Sequence, residues 1–188
     1  MIPDKRLRIL AAAETLISRS GLEALTMQRV AKQAKVAAGT IYLYFKDKEQ
    51  LMAELHERNL RLFAEAFLDG IQQEQGLRNQ HRRLWLNALG YHQMNPTVQR
   101  LWVHLETLPR NTRHRELIQE LFEPVKLFFS AGVDQGCFKP LPGEMLYALA
   151  FGSVHEICRF AYLRDVNFTE QDMDAALLSS WDAITIHP

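Results

Sequence analysis

The stretch VAKQAKVAAGTIYLYFKDKEQL, residues 30–51, carries the decisive pattern. It sets Thr40, Tyr42, Tyr44 and Lys48 at alternating or one-turn spacings beside an Ala-Gly step, with almost no bulky polar side chain between them. A solvated surface helix would be rich in Glu and Lys at such spacings. Two phenols, a hydroxyl and a nearly bare backbone suit a segment against which something large lies.

The rest of the chain narrows what that partner is. With 188 residues, 47% apolar and 23% charged, the composition is that of a globular chain of one or two domains. No run approaches the roughly 18 uninterrupted apolar residues of a membrane span, and the N-terminus MIPDKRLRIL has no signal-peptide core. A cytoplasmic location without membrane contact is expected. Cys137 and Cys158 fit no Cys-x-x-Cys or Cys/His spacing, so reduced, buried thiols are expected, with no metal and no cofactor. The net charge of zero conceals a division: residues 1–50 carry nine Lys/Arg against five acids, and the remainder is acidic by the same margin. A basic quarter on an acidic body suits a polyanion-binding head.

Helical periodicity runs almost throughout, and no Asn-Gly hairpin or sustained alternation marks a strand. The first helix is expected from about Asp4 to Ser20, stopped by Gly21. Thr26 can cap a short second helix, and a third follows from about Ala38 to Tyr44. Asp47 and Gln50 are spaced as a capping box for a long fourth helix expected to reach about Gln75. Asn95-Pro96 reads as another start. From about Thr112 to Gln135 apolar residues cover most of the circumference, which predicts a central, largely buried helix. Pro142 opens a helix reaching about Arg164, and Thr169 with Asp172 frames the last one. The expected fold is all-α with about nine helices: a small three-helix N-terminal domain over residues 1–48 and a larger helical domain over 49–188.

Two short helices joined by a tight turn and braced by a first helix make a helix-turn-helix, whose second member enters the DNA major groove. Ala38 and Gly39 leave that helix's backbone uncovered for close approach. The hydroxyls of Thr40, Tyr42 and Tyr44 suit phosphate oxygens, which fix register without reading sequence. Lys48 stands in the first turn of the fourth helix, where the dipole disfavours a cation. A phosphate at that terminus would resolve the conflict by accepting from the ammonium and the free N–H groups together. Taken singly, Tyr42 and Tyr44 have a core-aromatic reading as the lesser alternative, and Arg29, Lys35 and Lys48 a reading as solvated charge.

The segment GLEALTMQRVAKQAKVAAGTIYLYFKDKEQLMAEL resembles the N-terminal region of TetR-type transcriptional repressors, most specifically in GTIYLYF followed by Lys48 and Leu51. The resemblance covers roughly residues 5–55. It implies phosphate contacts from Thr26, Thr40, Tyr42, Tyr44 and Lys48, and groove or base-edge contacts from Gln28, Arg29, Ala38, Gly39 and Leu43. Val30, Ile41 and Phe45 would form the small domain's core. Ala37 departs from the pattern, since many relatives carry a capping Ser there.

A head with so few polar readers binds weakly alone, so a homodimer on a palindromic double-stranded operator is expected, with heads about 34–36 Å apart. The family resemblance places the dimer interface on the last two helices, here through Ala148, Gly152, Arg159, Met173, Leu177, Trp181 and Ile184. It also implies a pocket for a small apolar effector that releases DNA, with Trp102, Glu106, Phe122, Phe129, Phe151 and His155 as candidate lining. Core packing is the alternative for the others, and a solvated acid is the alternative for Glu106. The competing functions are an all-helical enzyme and a protein-interaction module with a non-functional head. Against catalysis, the sequence has no G-x-S-x-G, phosphate loop, dinucleotide fingerprint or H-E-x-x-H.

Overall fold

Helix α1 (Lys5–Ser20) starts where the Asp4 carboxylate accepts the Arg6 N–H at 3.1 Å, and it stops at Gly21, whose φ is 76°. The computed structural model describes residues 4–96, 98, 101, 102 and 112–186, so Glu106 lies outside the described residues. Helices α2 (Met27–Gln33), α3 (Ala38–Ile41), α4 (Lys48–Leu68), α5 (Leu77–Met94), α6 (Thr112–Asp134), α7 (Gly143–Arg164) and α8 (Glu170–Ile184) follow. The fold is all-α. Eight helices have defined bounds among the described residues, against about nine expected, and the one extended pairing there is the bridge between Phe138 and Thr185.

The start signals act as their chemistry predicts. Thr26 accepts the Arg29 N–H at 3.2 Å, and Thr169 and Asp172 exchange reciprocal hydrogen bonds of 3.2 and 2.8 Å. Ahead of α4, Asp47 accepts the Gln50 N–H at 2.8 Å, but the Gln50 amide oxygen accepts from Lys46 rather than from Asp47.

Two expectations need correction. Helix α4 ends at Leu68 rather than near residue 75, because Gly70 takes a left-handed φ of 73° and the 3-10 turn Ile71–Gln73 follows. Helix α6 is amphipathic rather than buried all round. It buries Leu117, Val125, Phe128 and Phe129 but leaves Leu127 60% exposed and Glu116 and Glu120 in water, where unpaired carboxylates belong.

The described residues divide into two compact units: one reaches Leu60 and includes those of 97–114, the other holds Arg61–Pro96 and those from Arg115 onward. In the first, Ile9, Ala13 and Ile17 of α1 pack with Val30, Ile41 and Phe45 and with Leu51 and Leu55 of α4, all fully buried. Each such side chain contributes about 1.5–3 kcal/mol of burial, and this core fixes how α2 and α3 are presented.

The second unit has an aromatic interior. Phe67 meets Phe151 at 5.1 Å and Phe122 at 6.3 Å, while Phe128 and Trp181 close on Phe138 at 5.2 and 5.6 Å. Phe138 lies on bare backbone: a Cβ at Gly132 would stand 2.0 Å from its ring, and the Gly132 carbonyl accepts the N–H groups of Cys137 and Phe138.

Candidate functional site

The turn between α2 and α3 is built from backbone outward. Lys35 adopts a left-handed φ of 55°, and the Val36 N–H returns to the Ala31 carbonyl at 3.0 Å, closing α2 as a helix end must be closed. Arg8 of α1 supplies the remaining donors. Its guanidinium gives a 2.7 Å hydrogen bond to the Ala34 carbonyl and a 3.5 Å one to the Lys35 carbonyl. On the other side of α3, Arg6 donates to the Tyr44 carbonyl at 3.3 Å, pairs with Glu54 at 2.5 Å and lies 4.9 Å over the Phe45 ring. Two of the head's basic residues therefore serve the scaffold.

What remains outside is a surface with a distinctive chemistry. Gln28 and Arg29 are exposed on α2, as are Ala38 and Gly39 on α3. Tyr42 is 54% and Leu43 82% exposed. Thr26 is exposed, with its hydroxyl engaged as the α2 cap. Thr40 is half-buried. Tyr44 is half-buried too and packs against the core, so the core alternative holds for part of its ring. Val30, Ile41 and Phe45 are fully enclosed, as expected of the small domain's core. Lys48 is half-buried at the start of α4, its ammonium 3.5 Å from the Leu22 carbonyl, a long contact that leaves donors for a phosphate. Ala37 is the α3 cap residue and provides no side-chain hydrogen bond.

The described effector candidates fall in both units. Phe122, Phe129, Phe151 and His155 belong to the second unit, whereas Trp102 belongs to the first, where it meets His56 edge-on at 5.8 Å. Phe129 and Phe151 are buried by neighbouring rings.

Sequence reasoning missed the polar thread among these rings. Tyr147 Oη lies 3.1 Å from His155 Nε2, and His155 Nδ1 lies 2.8 Å from His92 Nε2. The signal was available in part: Tyr147, Phe151 and His155 recur at one-turn spacing. Burial lowers His92 to a pKa of about 3, helped by His155, and lowers His155 to about 4. Burial likewise raises the Tyr147 phenol. All three groups are neutral at physiological pH, so the thread can read a ligand by hydrogen bonding without a net charge of its own.

A cavity of about 500 Å³, half open, lies elsewhere in the same unit, lined by Ile71, Gln72, Gln80, Glu120, Glu123, Pro124, Leu127, Phe128 and Ala131. None of the described effector candidates is among its lining residues. The Phe151 ring packs against Phe129 at 6.1 Å and Phe67 at 5.1 Å, as close packing favours.

The interface candidates on α7 and α8 separate by burial. Ala148 is exposed, and Gly152, Arg159, Met173, Leu177 and Trp181 are half-buried. Arg159 is paired with Glu156 and lies 5.1 Å from the Phe160 ring. Ile184 is fully buried in its own unit and has no surface left for a partner, because the α8 C-terminus docks against the Phe138 bridge. Exposed apolar residues outside the expected interface set are Met145 at 50%, Leu149 at 38% and Leu178 at 52%. The available signal on α7 was the stretch Met145–Val154, which carries no charged side chain on any side. The free Cys158 is buried, which raises its thiol to about 11, and Cys137 is half-buried. Among the described residues no helix is long and apolar enough to cross a membrane.

Known proteins align with both units. Residues 9–55 match the bacterial regulatory proteins of the tetR family, and residues 76–185 match a tetracyclin repressor-like C-terminal domain. An HTH-type transcriptional regulator of Haemophilus influenzae is 28% identical over 182 residues, 94% of each chain. The solved structure of a TetR-family protein from Vibrio parahaemolyticus is 35% identical with a TM-score of 0.84, covering 98% of this chain and 100% of that one. The FadR regulator of Bacillus subtilis, solved with stearoyl-CoA, shares the fold at a TM-score of 0.71 and 23% identity, over 94% of this chain and 95% of its own.

Proposed function

The chain belongs to the TetR family of DNA-binding transcriptional regulators, is not an enzyme, and on that premise we propose that it is an effector-released repressor acting on a palindromic operator as a homodimer. The observation that carries this reading is the exposed Gln28–Arg29 and Ala38–Leu43 surface on a scaffold braced by Arg6 and Arg8. DNA contact falls to residues 1–48. Thr26, Thr40, Tyr42, Tyr44 and Lys48 hold phosphates, and Gln28, Arg29, Ala38, Gly39 and Leu43 face the groove. Its work is done in the cytoplasm, where the operator is.

Residues 49–188 take dimerisation and effector binding. Met145, Leu149 and Leu178 expose apolar area that a second copy would cover, beside Ala148, Gly152, Arg159, Met173, Leu177 and Trp181. Phe122, Phe129, Phe151 and His155, with Trp102 and Glu106, remain the effector candidates, and the Tyr147–His155–His92 thread gives the aromatic lining an orienting polar group. A small, largely apolar effector fits that chemistry, and the stearoyl-CoA bound by the Bacillus subtilis neighbour is an apolar-tailed precedent.

Selection of bound sequences from random duplex DNA at two salt concentrations tests the proposal. A palindromic site should emerge, and Tyr42→Phe and Lys48→Ala should weaken binding to all sequences without changing the preferred bases. Sedimentation of Leu149→Glu should show monomers where the native chain is dimeric. Failure to enrich any sequence would remove the operator reading.

A further inference from the structure

The segment from Val36 to Phe45 holds no charged side chain, although the operator reading sets it against a polyanion. Its exposed side chains are Ala37, Ala38, Tyr42 and Leu43, and only Tyr42 among them carries a polar atom. Leu43, 82% exposed, is the largest apolar surface there. It is fixed rather than trailing: its N–H is held by the Thr40 carbonyl at 3.1 Å, and the flanking Tyr44 carbonyl is held by Arg6. A leucine at this position offers no hydrogen bond to a base edge. Set against a guanine O6 or a cytosine amino group, it would strip water from that group and return nothing, at a cost of the kind any unsatisfied polar group incurs. One feature of the major-groove edges is apolar, the thymine C5-methyl group.

We propose that Leu43 reads a thymine methyl in each operator half-site, so that this part of the recognition surface selects by apolar contact and by penalising G·C pairs. The inference rests on the operator reading above and adds to it the base class read. The polar side chains of α2, Gln28 and Arg29, are left to read other positions.

The test replaces thymine by deoxyuridine, one position at a time, in the duplex recovered by selection, and measures affinity for the native chain and for Leu43→Ala. Uracil keeps every hydrogen-bonding group of thymine and lacks only the methyl. At one position per half-site the native chain should bind about fourfold more weakly, the factor expected for one methyl-sized apolar contact. At that position Leu43→Ala should be indifferent to the exchange while keeping its sensitivity to salt. Because Leu43 is so exposed, the variant should melt with the native chain, which separates lost contact from lost fold. If no single exchange weakens native binding, or if Leu43→Ala shows the same loss, Leu43 does not read a methyl. If selection enriches no sequence, the operator reading and this inference fall together, whereas an enriched operator with no uracil effect overturns the inference alone.

Discussion

Replacing Ala37 by Ser should order the recognition helix. Helix α3 is a single turn, Ala38–Ile41, and its cap residue Ala37 sits at φ −64° and ψ 145°, an extended conformation that Ser adopts without adjustment. The Thr40 N–H reaches the Ala37 carbonyl at 2.8 Å, but no side chain accepts the first free amides. A serine hydroxyl accepts from the second or third residue of the helix, here Gly39 or Thr40, and is worth about 0.5–1 kcal/mol at an exposed site. That is about a two- to fivefold shift in the local opening equilibrium. Amide exchange measured by NMR should slow by that factor at Gly39 and Thr40 and stay unchanged in α5 and α7. If the uncapped turn opens in the free protein, affinity for DNA should rise by up to the same factor, because the competent fraction rises. Unchanged exchange at both amides would show that Arg6, Arg8 and the Ile41–Phe45 packing already hold the turn, and that the missing cap has no consequence.

Other outcomes follow from single contacts. Arg8→Ala removes the donor to the Ala34 and Lys35 carbonyls and should lower stability by about 1–2 kcal/mol, the range for a half-buried charged hydrogen bond, as read by denaturant midpoints. DNA affinity should fall with it, although Arg8 faces the turn's carbonyls. Gly132→Ala forces a methyl to within 2.0 Å of the Phe138 ring, and a loss of about 1–3 kcal/mol is expected by thermal or denaturant melting; a neutral result would mean that the ring moves freely. The buried histidines set an acid limit. His81, His92 and His155 have folded pKa values of about 4, 3 and 4 against the ordinary 6.5 of a histidine, so the unfolded chain binds more protons between those values. Stability from these groups is full above pH 6.5 and falls as the pH drops from 6.5 toward 4, by about 1.4 kcal/mol per pH unit for each independent histidine. His92 and His155 share a hydrogen bond and titrate as a pair. Melting of His81→Gln between pH 7 and 4.5 should show a shallower slope than the native chain, and an equal slope would refute the assignment.

The helix-turn-helix was legible because its determinants are local. Thr26 and Thr169 cap their own helices, Gly21 stops its own, and the apolar spacing of Ile9, Ala13 and Ile17 states which face is buried. Residue type and spacing were enough to place Tyr42, Leu43 and Lys48 in one short segment. The distant groups that hold the segment were not legible: Arg6 and Arg8 look like solvated charge in sequence, and only folding brings them to carbonyls 38 and 26 residues away.

In the second unit the sequence determined less. Apolar and aromatic content fixed an all-helical core, yet it could not say whether those rings would line a pocket or fill one another's space, since both need the same residues. The tertiary structure sets Phe129 against Phe151 at 6.1 Å, a contact that spacing along the chain does not state. Packing also joined His92 to His155 across 63 residues of chain, enclosed Ile184 and left Leu178 outside. Periodicity assigns a face to a helix; which of several apolar faces meets its own chain is set by the volumes and angles of the neighbours, and those exist only once the chain has folded.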